Sequence, residues 1–471
     1  MKSYVITVLL SGLFFTATAQ TKLTLQQAIE LGIRNNADVL QSGLAAERSS
    51  VLWKQSRMNR LPNLNASVNQ GNNYGKSIDP FTNTFIDQKV TYGSYGANTN
   101  ILLFNGFSLQ NEIKSNKLGL EASEMELQQA KDNLTINIIL AYLQVLSAQD
   151  VLKQVQEQVL VTKNQVDRLA LLNNEGAISP SDYYDLKGQF ASEQVSIADS
   201  KANVETARLS LSQLLNIPYR KDMEVVALPE ENISSANNHA PEEVYDIALQ
   251  HLAAIKAAGL RTQSAEKNIR SIRGRLLPSL SFGGSMSTNY SSAASISEYI
   301  NSTVAASSDY VDVGGTQYPV YKNQDHYANR KLKFGNQLNN NMFYTLNLGL
   351  SIPLFNGSNV RSQIKLAEIN LRSAELQEQN TKTLLQQAIE RAYLSLVTSS
   401  DKYQLLLGQV KSFEESFRIA EVKFNEGVIT SVDFLVAKNN LDRAKSNLII
   451  SKYDFLLRKK ILSYYEGKPM W

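Results

Sequence analysis

The sequence of 471 residues contains no cysteine, only three histidines and only two tryptophans. Without cysteine there is no disulfide framework, no thiolate metal site and no attachment point for a lipid anchor. The histidines, at 239, 251 and 326, show no metal-ligand spacing, and the sequence contains no phosphate loop, dinucleotide fingerprint or nucleophile elbow. We therefore expect no cofactor, no bound metal and no catalytic activity.

An excess of charge of one sign and long apolar runs are also lacking. The formal net charge is +3, and no basic block is interleaved with aromatic residues, so nucleic acid is not an expected partner. Beyond the N-terminal segment, no stretch approaches the 18 or more consecutive apolar residues of a membrane-spanning helix. If the chain spans a membrane, it must do so as a closed β-barrel, because only helices and closed barrels satisfy their backbone in lipid.

The first residues have the layout of a cleaved secretory signal. Lys2 precedes a mostly apolar run from Val5 to Phe15, and small residues follow up to Ala19. We predict a signal peptide over residues 1–19. The alternative, a membrane-spanning anchor, is disfavoured because the run is well short of the roughly 20 residues that a bilayer crossing needs.

The rest of the chain contains an internal duplication. Leu-Phe-Asn-Gly at 103–106 recurs at 354–357, and Asn-Glu-Gly at 174–176 recurs at 425–427, both with an offset of 251. Upstream the offset is 216, as between Leu61 and Leu277, so the second copy contains an insertion of 35 residues. We predict a first repeat over 20–216, a linker over 217–240, a second repeat over 241–466 and a C-terminal tail over 467–471.

Apolar spacing within each copy predicts helices of unusual length. A helix of about 38 residues is expected at the start of each copy, from Leu23 to about Leu61 and from Pro241 to Leu277. Proline-free stretches then predict helices of about 100 Å at 108–173 and 358–425, each ended by a glycine and followed by a shorter helix. These long hairpins exceed the size of a compact domain, so they must pack side by side as a coiled coil or tube.

Alternation of apolar and small polar residues predicts two β-hairpins. They lie at about 63–103 and 279–354, and a polar, outward-facing loop is expected at about 291–340. Strands of about 10 to 12 residues are long enough to cross a membrane when tilted, although a soluble sheet with one buried face gives the same alternation. Four strands cannot close a barrel, for which about eight are needed, so a membrane barrel would require several chains.

Several motifs, taken in their order along the chain, resemble those of the TolC-like outer membrane efflux proteins, and the resemblance covers essentially the whole mature chain. They are the Leu-Thr-Leu-x-x-Ala start at 23–28, the two Leu-Pro strand entries, the two Leu-Phe-Asn-Gly strand exits and the two Asn-Glu-Gly turns. The resemblance implies a mostly α-helical homotrimer in outer membrane lipid, with a 12-stranded barrel and a helical tunnel in the periplasm. It also implies a periplasmic adaptor and an inner-membrane pump as partners, in efflux or type I secretion.

The resemblance assigns roles to residues at the two glycine turns. An adaptor would dock on the turns through six residues: Gly176, Ala177, Ile178, Gly427, Val428 and Ile429. Three acidic residues would line the periplasmic constriction: Asp182, Asp185 and Asp433. Ile429 stands where relatives have an arginine, and Asp185 corresponds to Val436 in the second copy. Helix N-capping is the alternative role for these acids.

A structural protein is the competing interpretation of the whole chain. It would be a periplasmic coiled-coil adaptor or a surface stalk that presents the long loop. An adaptor would be expected to show one hairpin flanked by compact β-domains, and a stalk would lack the two alternating hairpins. The sequence leaves the transported substrate open among small molecules, metal ions and proteins.

Overall fold

The computed structural model describes residues 22–78, 83–87, 89–229 and 239–469. The predicted signal peptide, residues 230–238 of the predicted linker and the last two residues of the predicted tail lie outside the described residues. The described residues form two compact units. A helical unit comprises the described parts of 1–51, 117–265 and 370–471, and a sheet unit comprises the described parts of 52–116 and 266–369.

The helices reproduce the duplication. The described residues contain α1 (Leu25–Asn35), α2 (Ala37–Met58), α3 (Ser108–Asn174), α4 (Pro180–Leu214), α5 (Pro241–His251), α6 (Ala253–Gly274), α7 (Phe334–Asn340), α8 (Asn359–Asn425) and α9 (Ser431–Tyr465). The bounds of α1 and α2 recur in α5 and α6 at the offset of 216, and those of α3 and α4 recur in α8 and α9 at 251. α3 and α8 each have 67 residues, which corresponds to about 100 Å.

The structure corrects the single helix of about 38 residues expected at the start of each copy. A break divides it, at Asn36 in the first copy and at Leu252 in the second. Asn36 is extended, and its side-chain oxygen accepts the N–H groups of Asp38 and Val39 at 2.9 and 3.3 Å, so it caps α2. Leu252 is also extended and is buried. Because one extended residue hardly disturbs the apolar spacing, periodicity alone did not reveal either break.

The strands fall into one large sheet and three small ones. The described residues contain β1 (Lys22–Leu23), β2 (Asn63–Asn73), β3 (Lys76–Ile78), β4 (Phe85–Asp87), β5 (Val90–Asn105), β6 (Glu224–Val225), β7 (Ser279–Ser291), β8 (Ser295–Val313), β9 (Thr316–Lys331) and β10 (Phe343–Ser351). The large sheet has the order β10-β7-β5-β2 and is antiparallel throughout. The pairs β3-β4 and β8-β9 are antiparallel, and β1-β6 is parallel.

The register of the large sheet sorts its two faces by polarity. Cross-strand partners lie on the same face, and Phe282 is paired with both Ile101 and Leu348. The apolar face consists mainly of Leu64, Ala66, Val68, Tyr95, Ala97, Ile101, Leu280, Phe282, Met286, Tyr344, Leu346, Leu348 and Leu350. The opposite face consists mostly of asparagine, serine and glycine. Most of the large apolar side chains are exposed, with Leu346 at 77%. The sheet therefore presents an uncovered apolar face.

The structure also corrects the loop expected at about 291–340. β8 and β9 form a long two-stranded ribbon that turns at Gly314 and Gly315, and α7 follows it. Both glycines have positive φ (66° and 84°), as a tight hairpin turn requires. At the base of the ribbon the buried Gln337 side chain accepts the N–H of Ser291 and donates to its carbonyl oxygen, at 2.9 and 3.0 Å. Because polar residues occupy both exposed faces, the ribbon lacked the alternation of a half-buried strand.

The core of the helical unit surrounds the middle of α3. Among the described residues, α3 is the one helix that is long and apolar enough to cross a membrane, but half of its most apolar stretch is buried, as in the core helix of a soluble domain. Tyr142 is fully buried, and its hydroxyl lies 2.9 Å from the Leu23 carbonyl oxygen and 2.7 Å from that of Val226. Burial raises the pKa of Tyr142 to about 12, which keeps the hydroxyl protonated. It therefore attaches α3 to the short β1-β6 pair.

Candidate functional site: the two hairpin turns

We define the first hairpin as α3, α4 and their turn, and the second hairpin as α8, α9 and theirs. Both turns begin with a glycine in the left-handed region, Gly176 with φ 70° and Gly427 with φ 72°. The N–H of Ala177 donates to the carbonyl of Leu172 at 2.8 Å, and the N–H of Gly176 donates to that of Asn173 at 3.1 Å. The second turn repeats both bonds. These are Schellman motifs, so glycine is needed where each long helix stops.

The residues expected to contact an adaptor divide into two groups. Both glycines and the side chains of Ala177 and Val428 are exposed, with Val428 at 68%. Ile178 and Ile429 are half-buried, and they pack against an apolar cluster formed by Leu169, Leu186, Phe424 and Phe434. The exposed surface of each turn is therefore smaller than the sequence indicated.

The three acidic residues expected at the constriction also differ in their contacts. Asp433 bonds within its own turn, where it forms a capping box with Thr430: the Asp433 N–H donates to the Thr430 hydroxyl at 3.3 Å. Asp182 and Asp185 instead contact the second hairpin. The Ser431 N–H donates to Asp182 Oδ1 at 3.1 Å, and the Ser431 hydroxyl donates to Asp185 Oδ2 at 3.0 Å. Two acids of the first hairpin thus hold the first residue of α9.

The reciprocal arrangement is chemically impossible at the turn of the first hairpin. The repeat equivalent of Ser431 is Pro180, which has no N–H, and the equivalent of Asp185 is Val436, which has no carboxylate. Ser179 instead caps α4 by accepting the N–H of Ser181. The two turns therefore share their backbone geometry but not their polar contacts.

A second polar contact between the hairpins involves a buried lysine. Lys438 of α9 is 1% exposed, and its Nζ lies 2.8 Å from Glu193 Oε1 of α4 and 2.6 Å from Asp442 Oδ2. Gln189 Nε2 also donates to Glu193 Oε1, at 2.9 Å, while Glu193 Oε2 is buried and has no partner among the described residues. Burial raises the pKa of Asp442, and the Lys438 ammonium opposes that rise.

A third contact joins Arg168 of α3 to Asn425, the last residue of α8. The guanidinium donates to the Asn425 carbonyl oxygen at 2.7 Å and also to its side-chain oxygen. A positive group at the C-terminal end of a helix is favoured by the exposed carbonyls there. Sequence reasoning missed Arg168, Glu193 and Lys438, because a charged residue in a predicted helix is normally assigned to a solvated face. For Arg168 and Glu193 the available signal was a difference between the two copies, because their equivalents are Ile419 and Ala444. Lys438 gave no such signal, because its equivalent is also a lysine.

Comparisons with known proteins agree with this architecture. The family model described as outer membrane efflux protein matches residues 25–216 and 244–462. The outer membrane protein TolC of Escherichia coli (strain K12) is 24% identical over 336 residues, which are 71% of this chain and 62% of TolC. The outer membrane efflux protein BepC of Brucella suis biovar 1 (strain 1330) is 21% identical over 475 residues, covering 98% of this chain and 89% of BepC.

A solved structure shows the same fold. The outer membrane protein VceC of Vibrio cholerae superposes with a TM-score of 0.72 over 95% of this chain and 97% of VceC, at 15% identity. The match to TolC spans somewhat less than two thirds of that relative, whereas the family model covers both repeats. This protein therefore belongs to the outer membrane efflux protein family and has a mostly helical fold.

Proposed function

We propose that three copies of this chain form a duct through the outer membrane, which passes substrates from an inner-membrane pump and a periplasmic adaptor to the exterior. The sheet carries this proposal. Its apolar face is exposed along most of its length, while asparagine and serine cover the other face. Lipid covers an apolar face of this kind, and the polar face suits a water-filled lumen.

The sheet edges and the number of strands call for several copies of the chain, and the resemblance to TolC-like channels favours three. β2 and β10 are the edges of the four-stranded sheet, and each has one paired neighbour among the described strands. An open edge in lipid leaves backbone groups unsatisfied, and four strands are too few to close a barrel. Three copies that pair β2 of one chain with β10 of the next give twelve strands. In this assembly six helical hairpins, two from each chain, form the tunnel wall.

The two turns form the periplasmic end of this duct. Ala177 and Val428 offer small, exposed apolar side chains beside an exposed glycine, which suits the docking of an adaptor hairpin. Asp182 and Asp185 regulate the constriction through Ser431, and Asp433 serves mainly as the cap of α9. A periplasmic adaptor or a surface stalk would have no use for an uncovered apolar sheet face, so the duct is favoured over both.

A matched pair of substitutions in β10 tests the duct. Leu346→Arg places a charge on the apolar face, whereas Asn347→Arg, at the next residue, places it on the polar face. An arginine on the lipid side costs about 2–4 kcal/mol near the bilayer midplane. We expect the parent protein to be a heat-modifiable trimer of the outer membrane that conducts in planar bilayers. Leu346→Arg should lose most of that trimer, and Asn347→Arg should retain it with altered ion selectivity.

Either of two results would reject the duct: release of the parent protein in a periplasmic wash, or equal effects of the two arginines. The docking role has a separate test. Val428→Glu should abolish export while the trimer still forms, because the new charge must be desolvated when an adaptor docks. Export at the parent level from Val428→Glu cells would remove Val428 from the docking surface.

A further inference from the structure

The ribbon formed by β8 and β9 is the largest structural difference between the two copies. In the first copy, the described part of the equivalent connection contains the β3-β4 pair, with three residues in each strand. β8 and β9 have 19 and 16 residues. A hairpin of the large sheet therefore does not need a ribbon of this length, and the insertion calls for a role beyond that of a duct wall.

The base of the ribbon is firmly attached to the large sheet. The Leu332 N–H donates to the carbonyl oxygen of the buried Ala294 at 3.1 Å. The Phe334 ring of α7 lies 6.0 Å from the Tyr95 ring and 5.0 Å from the Tyr290 ring, between centroids. The ribbon leaves β7 at the end opposite to the one that α6 joins. In the proposed duct, on which this inference rests, the ribbon therefore projects from the outer surface of the cell.

The strand register sorts the ribbon into two different faces. Cross-strand partners lie on the same face, and we call the face that contains the paired Tyr299 and Tyr327 the tyrosine face. Tyr310 and Tyr321 lie on it as well. The residues of this face between the pair and Tyr321 are small or polar, namely Ser302, Val304, Asn323 and Asp325. Four aromatic rings thus share one side of a two-stranded ribbon.

The two faces also differ in how their polar groups are satisfied. On the opposite face, Arg330 Nε lies 3.2 Å from Glu298 Oε2, and Lys322 pairs with Asp309 of the irregular segment of β8. The four side chains of the tyrosine face are between 53% and 63% exposed, and their hydroxyls have no hydrogen-bond partner within the described part of the chain. The tyrosine face therefore offers free rings and free hydroxyls, whereas the opposite face pairs its own charges.

Both edges of the ribbon oppose the addition of a further strand. The register of β8 shifts between Tyr299 and Asn301 and again between Ala306 and Tyr310. β9 contains Pro319, which has no N–H to donate. Bulges and prolines at an edge are features that prevent pairing with another strand. An extended peptide that binds by strand addition is therefore disfavoured, and the tyrosine face is the surface open to a ligand.

The tyrosine face is long and narrow. Two strands about 4.8 Å apart give a face about 10 Å wide, and 19 residues at about 3.3 Å each give a length of about 60 Å. The resulting area of about 600 Å² is below the roughly 800 Å² per partner of a stable protein–protein interface. A linear chain molecule fits this shape better than a folded protein does.

The chemistry of the face selects the kind of chain. Between the paired Tyr299 and Tyr327 and the position of Pro319, Asp325 is the one ionised side chain on this face of the described ribbon, so a polyanion is disfavoured. Aromatic rings pack against C–H surfaces, and hydroxyl and amide groups exchange hydrogen bonds with hydroxyls. We propose that the tyrosine face binds linear neutral polysaccharides at the cell surface, with sugar rings packed on the tyrosines and hydroxyls bonded to Asn323 and Asp325.

Two tyrosines of β9 provide a matched test. The purified full-length protein is titrated in a calorimeter with laminarihexaose, maltohexaose and mannohexaose, and with heparin as a polyanion. We expect the parent protein to bind at least one of the three neutral sugars and not heparin. Tyr321→Ala should weaken that binding at least fivefold, because it removes a ring from the tyrosine face. Tyr318→Ala removes a similarly exposed ring from the opposite face and should change it less than twofold.

A ribbon-free variant tests the same surface without relying on one side chain. Because Ala294 and Leu332 are hydrogen-bonded neighbours, two glycines can replace residues 295–331 between them. This variant should lose the sugar binding and retain the oligomer and the conductance of the parent protein in planar bilayers.

Four results would overturn the inference: a parent protein that binds none of the three sugars, tighter binding of heparin, equal losses in Tyr318→Ala and Tyr321→Ala, or sugar binding by the ribbon-free variant. Loss of the parent's oligomer in the ribbon-free variant would instead assign the tyrosine face to a second copy of the chain. A ligand from a cell-surface extract that protease destroys, and that the sugars do not displace, would assign it to a protein.

Failure of the proposed function gives a different result. A parent protein that conducts in planar bilayers but binds no sugar rejects this inference alone. A parent protein that binds sugar but carries no current rejects the duct alone.

Discussion

Replacement of Lys438 by methionine should locally loosen the packing of α9 against α4. Methionine retains most of the volume of the side chain but leaves Glu193 and Asp442 without their cation, and Glu193 Oε2 already has no partner among the described residues. Removing one partner of a buried ion pair typically costs about 3–5 kcal/mol. About 1.4 kcal/mol corresponds to a tenfold change in an equilibrium constant, here that of local opening. The rate of amide hydrogen exchange in the facing stretches of α4 and α9 should therefore rise by roughly two to three and a half orders of magnitude.

Lys187→Met is the matched control, because Lys187 is the repeat equivalent of Lys438. It is exposed and contacts only two tyrosine rings in the described residues, for which about 0.5–1 kcal/mol is expected. Hydrogen exchange measured by mass spectrometry on the intact protein compares the two variants at the same segments. Equal exchange in Lys438→Met and Lys187→Met would refute the buried ion pair as a stabilising contact. Adding Glu193→Gln to Lys438→Met should restore part of the protection, because it removes one unpaired charge.

The effect of Lys438→Met on hydrogen exchange should depend on pH. Burial raises the pKa of Asp442, so this carboxylate binds a proton more tightly in the folded protein than in the unfolded chain. This contribution to stability is fully present below the ordinary aspartate pKa of 3.8 and is lost as the pH rises through the raised value. Lys438→Met removes the ammonium that opposes the rise. The difference in exchange between Lys438→Met and the parent should therefore shrink as the pH is lowered towards 4, and a constant difference would contradict this assignment.

Three further predictions concern other contacts. Tyr142→Phe removes a buried hydroxyl that bonds to two backbone carbonyl oxygens, and it should destabilise the helical unit by about 1–2 kcal/mol. Urea unfolding monitored by circular dichroism measures this loss, and an unchanged free energy of unfolding would show that water replaces these hydrogen bonds. Gln337→Leu should make the ribbon protease-sensitive while the four-stranded sheet is retained, because it removes the bonds to Ser291; unchanged cleavage would contradict the anchoring role. Gly427→Ala should cost about 1 kcal/mol in thermal unfolding because of its positive φ, and Gly408→Ala, within α8, should not.

The fold was largely predictable because its signals are local. The prediction that the chain resembles TolC-like channels is confirmed by the family model, and the ends of α3 and α8 agree with the sequence to within one or two residues. Glycine turns and the absence of proline act within a few residues of the chain. The ribbon was missed because both of its faces are exposed, so no buried side imposed an alternating pattern on β8 and β9.

The candidate site was only partly predictable, because its contacts join residues that are far apart in sequence. Asp182 and Asp433 are equivalent in the repeat, but one binds the opposite hairpin and the other caps its own helix. Lys438 and Lys187 are equivalent too, but only Lys438 is buried. The sequence alone determined the duplication, the lengths of the two longest helices and the polarity of the large sheet, since each depends on the spacing of neighbouring residues. The tertiary structure alone decided which equivalent residues meet, because burial and partners depend on what the opposite hairpin presents.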